Sequence, residues 1–196
     1  RGLTKSDAGS LYLVEEDEKG ERKLRFKHTQ NDSKHIPFQE FVMPAAKASI
    51  AGYVAVTGET LNLEDVYHTP GNVEFSFNKS FDESVGYRSK SMLVVPMRDH
   101  NNEITGVLQL INAKRSSEVI LAEPDIAEKE VVRFEPAIED FINSLASQAA
   151  VALENSMLVE SLERTFEGFV TASVHAIEQR DPITSGHSER GTTLTC

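Results

Sequence analysis

The chain has 196 residues, 39% of them hydrophobic and 26% charged, enough to bury a sizeable core as one domain or one domain with an appendage. Its net charge of −11 argues against broad nucleic-acid binding, which needs clustered Lys and Arg facing phosphates. The single Cys196 excludes an internal disulfide and any multi-cysteine metal site, and no apolar run reaches the roughly 18 residues of a membrane span. With no charged-then-apolar signal at its start, a cytoplasmic protein without membrane insertion is expected. The chain opens on Arg1 and stops shortly after His187, so it reads as a piece of something longer.

"SLYLVEEDEKGERKLRFKHT" is two alternating runs around an acidic, Gly-containing turn. Leu11 and Leu13 share one face and Tyr12 and Val14 the other, which predicts a β-hairpin with a solvated tip at Lys19-Gly20. The acidic run Glu15 to Glu18 is then loop rather than metal site. "FQEFVMPA" predicts a third strand ended by Pro44. In "SIAGYVAVTGETLNLEDV", Ser49 is placed to N-cap a short helix that Gly58 stops in the left-handed conformation, and "TLNLEDV" alternates as a strand. The stretch from Tyr67 to Gly86 is irregular, with room for a short helix, and has the length of a ligand cover. "SKSMLVVPMRDHNNEITGVLQLINAK" predicts a central hairpin turning at Asn101-Asn102.

From Phe134 the period becomes helical. Ile138, Ile142, Leu145, Ala149 and Ala152 form a stripe, and Leu158, Leu162, Phe169 and Ala176 continue it. No proline interrupts Ala137 to Asp181, so one helix of roughly 40 residues, about 60 Å long, is predicted. Its distal half is expected to bury its stripe against a second copy as a parallel coiled coil; the alternative is a break near Glu154-Asn155 and a fold back.

"AGSLYLVEED", "SIAGYVAVTGETLNLEDVY", "GYRSKSMLVVPMRDHNNEITGVLQLINA" and "LASQAAVALEN" resemble, in order and spacing, the blocks of a GAF domain, a small-molecule sensor module. The resemblance implies an α+β fold: an antiparallel β-sheet flanked by helices, with a long C-terminal signalling helix. It assigns 1–155 to the sensor and 156–180 to a linker or coiled-coil helix. "FEGFVTASVHAIEQRDPITSGHSER" resembles the entry helix of an HD-GYP domain, a metal-dependent phosphohydrolase that usually cleaves cyclic di-GMP, so 181–196 reads as its truncated start. There His187 matches the first metal ligand. Ile183, where some members carry a third-metal Glu, implies a two-metal parent, and Gly191 replaces the usual Val. One His with Asp181 is not a metal site. The expectation is no cofactor and no activity in this chain, and a divalent metal pair only in the parent protein.

For the sensor, the resemblance places a pocket between sheet and cover. The first backbone N–H groups of the short helix, at Ile50 and Ala51, suit an anion. Positions matching those used by cyclic-nucleotide GAF domains are Ser10, Phe26, Lys27, Asn78, Val85, Ser89 and Gln109. The match is partial: Lys27 stands where an acidic group often meets the guanine edge, and it cannot accept base N–H protons. "NKSFDE", Asn78 to Glu83, spells a family motif by coincidence, since the motif's letters are spread more widely in those domains. A bilin would need a cysteine in the domain; haem would need an axial histidine, for which His28, His35 and His68 are isolated candidates; methionine sulfoxide reduction would need cysteines. The reading is a regulatory homodimer that binds a small polar or anionic ligand, cyclic nucleotides among the candidates, and controls a phosphodiesterase. The alternative is a ligand-free dimerisation module.

Overall fold

A computed structural model describes residues 4–35 and 39–180; His187, Asp181, Ile183, Gly191 and Cys196 lie outside them. Seven antiparallel strands form one sheet in the order β3-β2-β1-β6-β5-β4, with β7 paired to β6. The strands are β1 (Ser6–Glu16), β2 (Arg22–Asn31), β3 (Phe41–Pro44), β4 (Leu61–Leu63), β5 (Met92–Arg98), β6 (Ile104–Lys114) and β7 (Val131–Val132). The helices are α1 (Ile50–Thr57), α2 (Ser80–Val85), α3 (Pro124–Glu130) and α4 (Pro136–Arg180).

Local chemistry sets the boundaries. Ser49 Oγ accepts from Gly52 N at 3.1 Å and so caps α1, while Gly58 ends it at φ 70°, a value that favours glycine. Gly52 is fixed by space: a Cβ there would lie 2.1 Å from the Ala46 carbonyl oxygen. Asn102, at φ 66°, turns the second hairpin. Pro96 falls beyond Val94, the last β5 residue that pairs with β4, where a strand can spare an N–H. β1 runs on through Glu15 and Glu16, so half of the acidic run predicted as loop is strand, and Glu15 forms a bidentate pair with Arg25.

Strand alternation divides the core. Met92, Val94 and Val107 face α1, joining Leu24, Ile50, Val54 and Phe75. Leu93, Val95 and Met97 face α4, joining Phe134, Ile142, Ala146 and Ala150. A third cluster, Tyr87, Leu121, Ala127 and Val131, is built around α3, which the periodicity does not reveal.

The helical stripe needs a correction. Ile138, Ile142, Ala146 and Ala150 turn to the sheet, whereas Leu145, Ala149 and Ala152 are exposed. Steps of four keep one line of the first turns of α4 against the sheet, and alanine lets the backbone approach; after Ile142 the four-and-three stepping passes to another face of the helix. α4 is unbroken through Glu154-Asn155. The chain divides into two compact units, Arg1–Val151 and Ala152–Cys196. In the second, Met157, Leu158, Leu162, Phe166 and Phe169 are all exposed. No described helix is long and apolar enough to cross a membrane.

Candidate functional site

The sheet face beneath residues 64–89 carries an apolar floor with two polar side chains in it. Ser10 and Gln109 are register partners across β1 and β6, and only 8% and 7% exposed. Ser10 Oγ lies 3.3 Å from Thr29 Oγ1. Gln109 Nε2 donates to Met92 Sδ, a weak acceptor, so this amide loses little by turning to a better partner. Ile50 and Ala51 pack into the same core, in a helix whose start is met by the cover: Ser49 bridges to Ser76, Ser76 N donates to Ala48 O at 3.0 Å, and Lys47 pairs with Glu74 at 2.7 Å. Phe26 is half-buried between Tyr12 and Phe41, with ring centroids at 5.1 and 4.8 Å.

The other positions singled out in the sequence are engaged elsewhere. Lys27 is exposed, its Nζ 3.7 Å from Glu40, which also takes Arg25. Asn78 is exposed and accepts from Ser80 N at 3.0 Å at the start of α2. Val85 packs in the α3 cluster. Ser89 is buried, donating from both N and Oγ to Asp82, at 2.7 and 2.9 Å. The structure therefore brings Ser10, Gln109, Ile50 and Ala51 to one core, with Phe26 beside Tyr12 at its margin.

What the sequence reading missed is the clasp that holds the cover. Asp82, 1% exposed, also accepts from Tyr67 OH at 3.0 Å. Burial raises the Asp82 carboxyl above its ordinary value, against the pull of its donors, and burial with Asp82 beside it pushes the Tyr67 phenol up to about 12. Arg88 stacks on the Tyr67 ring with Cζ 3.8 Å from the centroid, and Lys79 Nζ lies 4.3 Å from it. The Arg88 guanidinium binds both oxygens of Asp65 at 2.8 Å and Glu128 of α3 at 2.8 Å. Burial works to raise Asp65 and Glu128, but their cationic partners hold both below the ordinary carboxylate range. Asp65 opens the cover and Arg88 closes it, so one bidentate pair joins its two ends. His68 is a solvated neighbour of this pair, 2.9 Å from Asp65.

Beside the clasp lies a buried ion pair. Lys114 Nζ is 3.0 Å from Asp7 Oδ1, both side chains almost fully shielded. Ser33 Oγ and Tyr87 OH also donate to Asp7, at 2.6 and 2.7 Å, Asn112 donates to Tyr87 OH, and Lys114 donates to Val119 O. Burial, then Asp7, raises the Tyr87 phenol well above its ordinary range.

The family model for the GAF domain matches residues 1–153. The chain belongs to the GAF domain family. Over 118 residues, 56% of this chain, it is 32% identical to the dual 3′,5′-cyclic-AMP and -GMP phosphodiesterase 11 of Drosophila melanogaster, and the match spans 8% of that protein. Among solved structures, residues 122 to 287 of a methyl-accepting chemotaxis protein superpose with a TM-score of 0.53 at 18% identity, covering 79% of this chain and 81% of that one. The GAF domain of a phosphoenolpyruvate-protein phosphotransferase from Coxiella burnetii gives 0.52 at 20%, covering 80% and 76%. At these identities the structures speak to fold alone.

Proposed function

We propose that this chain is a regulatory module that binds a small polar or anionic ligand between the sheet and the cover, with cyclic nucleotides the first class to try. The observation that carries the reading is the pair of buried polar side chains, Ser10 and Gln109, in an otherwise apolar floor beneath a clasped cover. Apolar surface with a few convergent polar groups is the usual lining of a small-molecule site. The phosphodiesterase relative supports a role in regulating cyclic-nucleotide chemistry. In this reading the chain binds and does not catalyse.

The output is a C-terminal HD-GYP domain that hydrolyses cyclic di-GMP in the parent protein, a reading that rests on the resemblance of the "FEGFVTASVHAIEQRDPITSGHSER" segment. His187 would contribute one ligand to a divalent metal pair there, and the remaining ligands would have to come from residues further along the parent chain. α4 is the physical link, and it acts as a homodimer. Leu145, Ala152, Val159 and Phe166 recur every seven residues, with Leu162 and Phe169 at the intervening positions, which is the seam of a two-stranded coiled coil. Ligand shifts the output only if its affinity differs between two arrangements of the helix pair. The test is cyclic di-GMP hydrolysis by the parent protein with and without saturating cyclic AMP or cyclic GMP. Identical rates with a bound nucleotide would refute the regulatory reading and leave a dimerisation module.

A further inference from the structure

A cavity of about 580 Å³ lies where β6, β7 and the first turn of α4 meet the turn leading into β1. Its floor is apolar, made by Ala113, Val132, Phe134 and Ile138. Its rim is cationic: Lys5, Arg115 and Arg133 line it and all three are exposed, against one carboxylate, Glu135. Lys114 also borders it, but its ammonium is neutralised by Asp7. Among the described residues none of the three rim cations is ion-paired. The Nε groups of Arg115 and Arg133 make long contacts of 3.4 Å, to Lys129 O and Asn62 Oδ1, which leaves their Nη groups to match a carboxylate.

Lys5 reaches the rim through a strained backbone. Its φ of 49° is left-handed, a conformation unfavourable for a non-glycine residue. The turn is held by the contact between the Thr4 and Ser6 hydroxyls at 2.9 Å and by the bond from Lys114 N to Lys5 O at 2.9 Å. On a chain of net charge −11, three unpaired cations around one apolar hollow are a local reversal of sign. The first turn of α4 adds the positive end of its dipole.

We infer that this hollow is a binding site for a small organic anion with an apolar body, separate from the site under the cover. The hydrocarbon part lies on Val132, Phe134 and Ile138, and the carboxylate meets Arg115, Arg133 and Lys5. The volume is within the roughly 300–1,000 Å³ typical of small-molecule pockets. A bare inorganic anion would leave the apolar floor wet, and a polyanion would meet the acidic remainder of the surface. Because Ile138 belongs to α4, an occupant bears on that helix directly, without the cover taking part.

The test is a titration of the isotopically labelled chain with octanoate, followed by amide NMR shifts, alongside octanamide (same tail, no charge) and inorganic phosphate (charge, no tail). Octanoate is expected to give saturable shifts at Lys5, Arg115, Arg133 and Phe134, with octanamide and phosphate weaker by about tenfold or more, the scale of one charge-assisted hydrogen bond. The double variant R115Q/R133Q, with unchanged thermal unfolding, is expected to lose about tenfold or more in octanoate affinity. Lys5→Gln, at an exposed position, provides a second variant with a several-fold loss. Equal affinity for octanamide or phosphate, undiminished binding in the variants, or no saturable shift at these amides would overturn the proposal. Shifts confined to Ser10 and Gln109 would place the anion under the cover, and shifts confined to 157–170 would place it on the exposed helix stripe; either result overturns it as well.

Discussion

The two faces of the sheet are held by different physics. Against α4 the buried contacts are apolar and close, Ile142, Ala146 and Ala150 on Leu93, Val95 and Met97, with hydrogen bonds from Asn62 to Glu139 and from Thr60 to Asn143 only beside them. On the cover side the apolar floor is closed by polar devices: Asp65–Arg88–Glu128, Asp82 with Ser89 and Tyr67, and the Asp7–Lys114 pair. Dispersion and burial are non-directional and hold a face that must stay rigid. Hydrogen-bonded ion pairs are directional, and once separated each partner can be rehydrated, which suits a segment that has to open as a unit.

The largest test of this contrast removes a charge from the cover side. Lys114→Met leaves Asp7 buried and unpaired and is expected to cost about 3–5 kcal/mol in denaturant unfolding. Adding Asp7→Asn is expected to restore much of it, since the neutral amide demands no counter-charge; an equally unstable double variant would show that packing, and not charge, is what Lys114 supplies. On the α4 face, Ile142→Ala is expected to cost about 2–4 kcal/mol as a cavity, with no dependence on salt. Arg88→Gln is expected to cost less globally, about 1–3 kcal/mol, but to raise hydrogen exchange across 65–88 well before it affects α4. Uniform acceleration of both regions would erase the distinction. Ser49→Ala is expected to cost about 1 kcal/mol through its cap.

The smallest effect is in the pH profile. Asp65 and Glu128 are held below the ordinary carboxylate range, so the stability they contribute is full above that range and is lost as pH falls through their lowered values. Asp82 runs the other way. Its raised value means that ionisation costs stability above it, and this cost disappears as pH falls through it toward the ordinary Asp value. Mild acidification therefore relieves Asp82 before further acid undoes the Arg88 pairs. Asp82→Asn is expected to flatten the first part of the unfolding-midpoint profile and leave the second unchanged.

Much of the frame was legible because its signals are local. The Ser49 and Gly58 caps, the Lys19-Gly20 and Asn101-Asn102 turns and the proline-free run of α4 each act within a few residues. α3 was missed although Pro124 stands in its first turn, because a seven-residue helix is too short to show a period. The clasp was not legible because a charge carries no address: Arg88 finds Glu128 40 residues away, and Lys114 finds Asp7 107 residues away. Asp82 falls inside the "NKSFDE" stretch set aside as coincidental lettering, and nothing in a short polar segment marks which carboxylate will be buried. Of the anticipated pocket residues, Ser10 and Gln109 lie on strands, where alternation agrees with the positions the resemblance gave, while Asn78 and Ser89 sit in irregular backbone and Val85 ends the short helix α2, where strand alternation has no force.

The most direct measurement is native mass spectrometry of the chain with cyclic AMP and cyclic GMP, on the unmodified protein and on Gln109→Leu. The account predicts one nucleotide per chain in the unmodified protein and its loss in the variant, with dimer mass unchanged. No adduct in either protein, or the same adduct in both, would contradict a ligand site on the floor that Gln109 shares with Ser10.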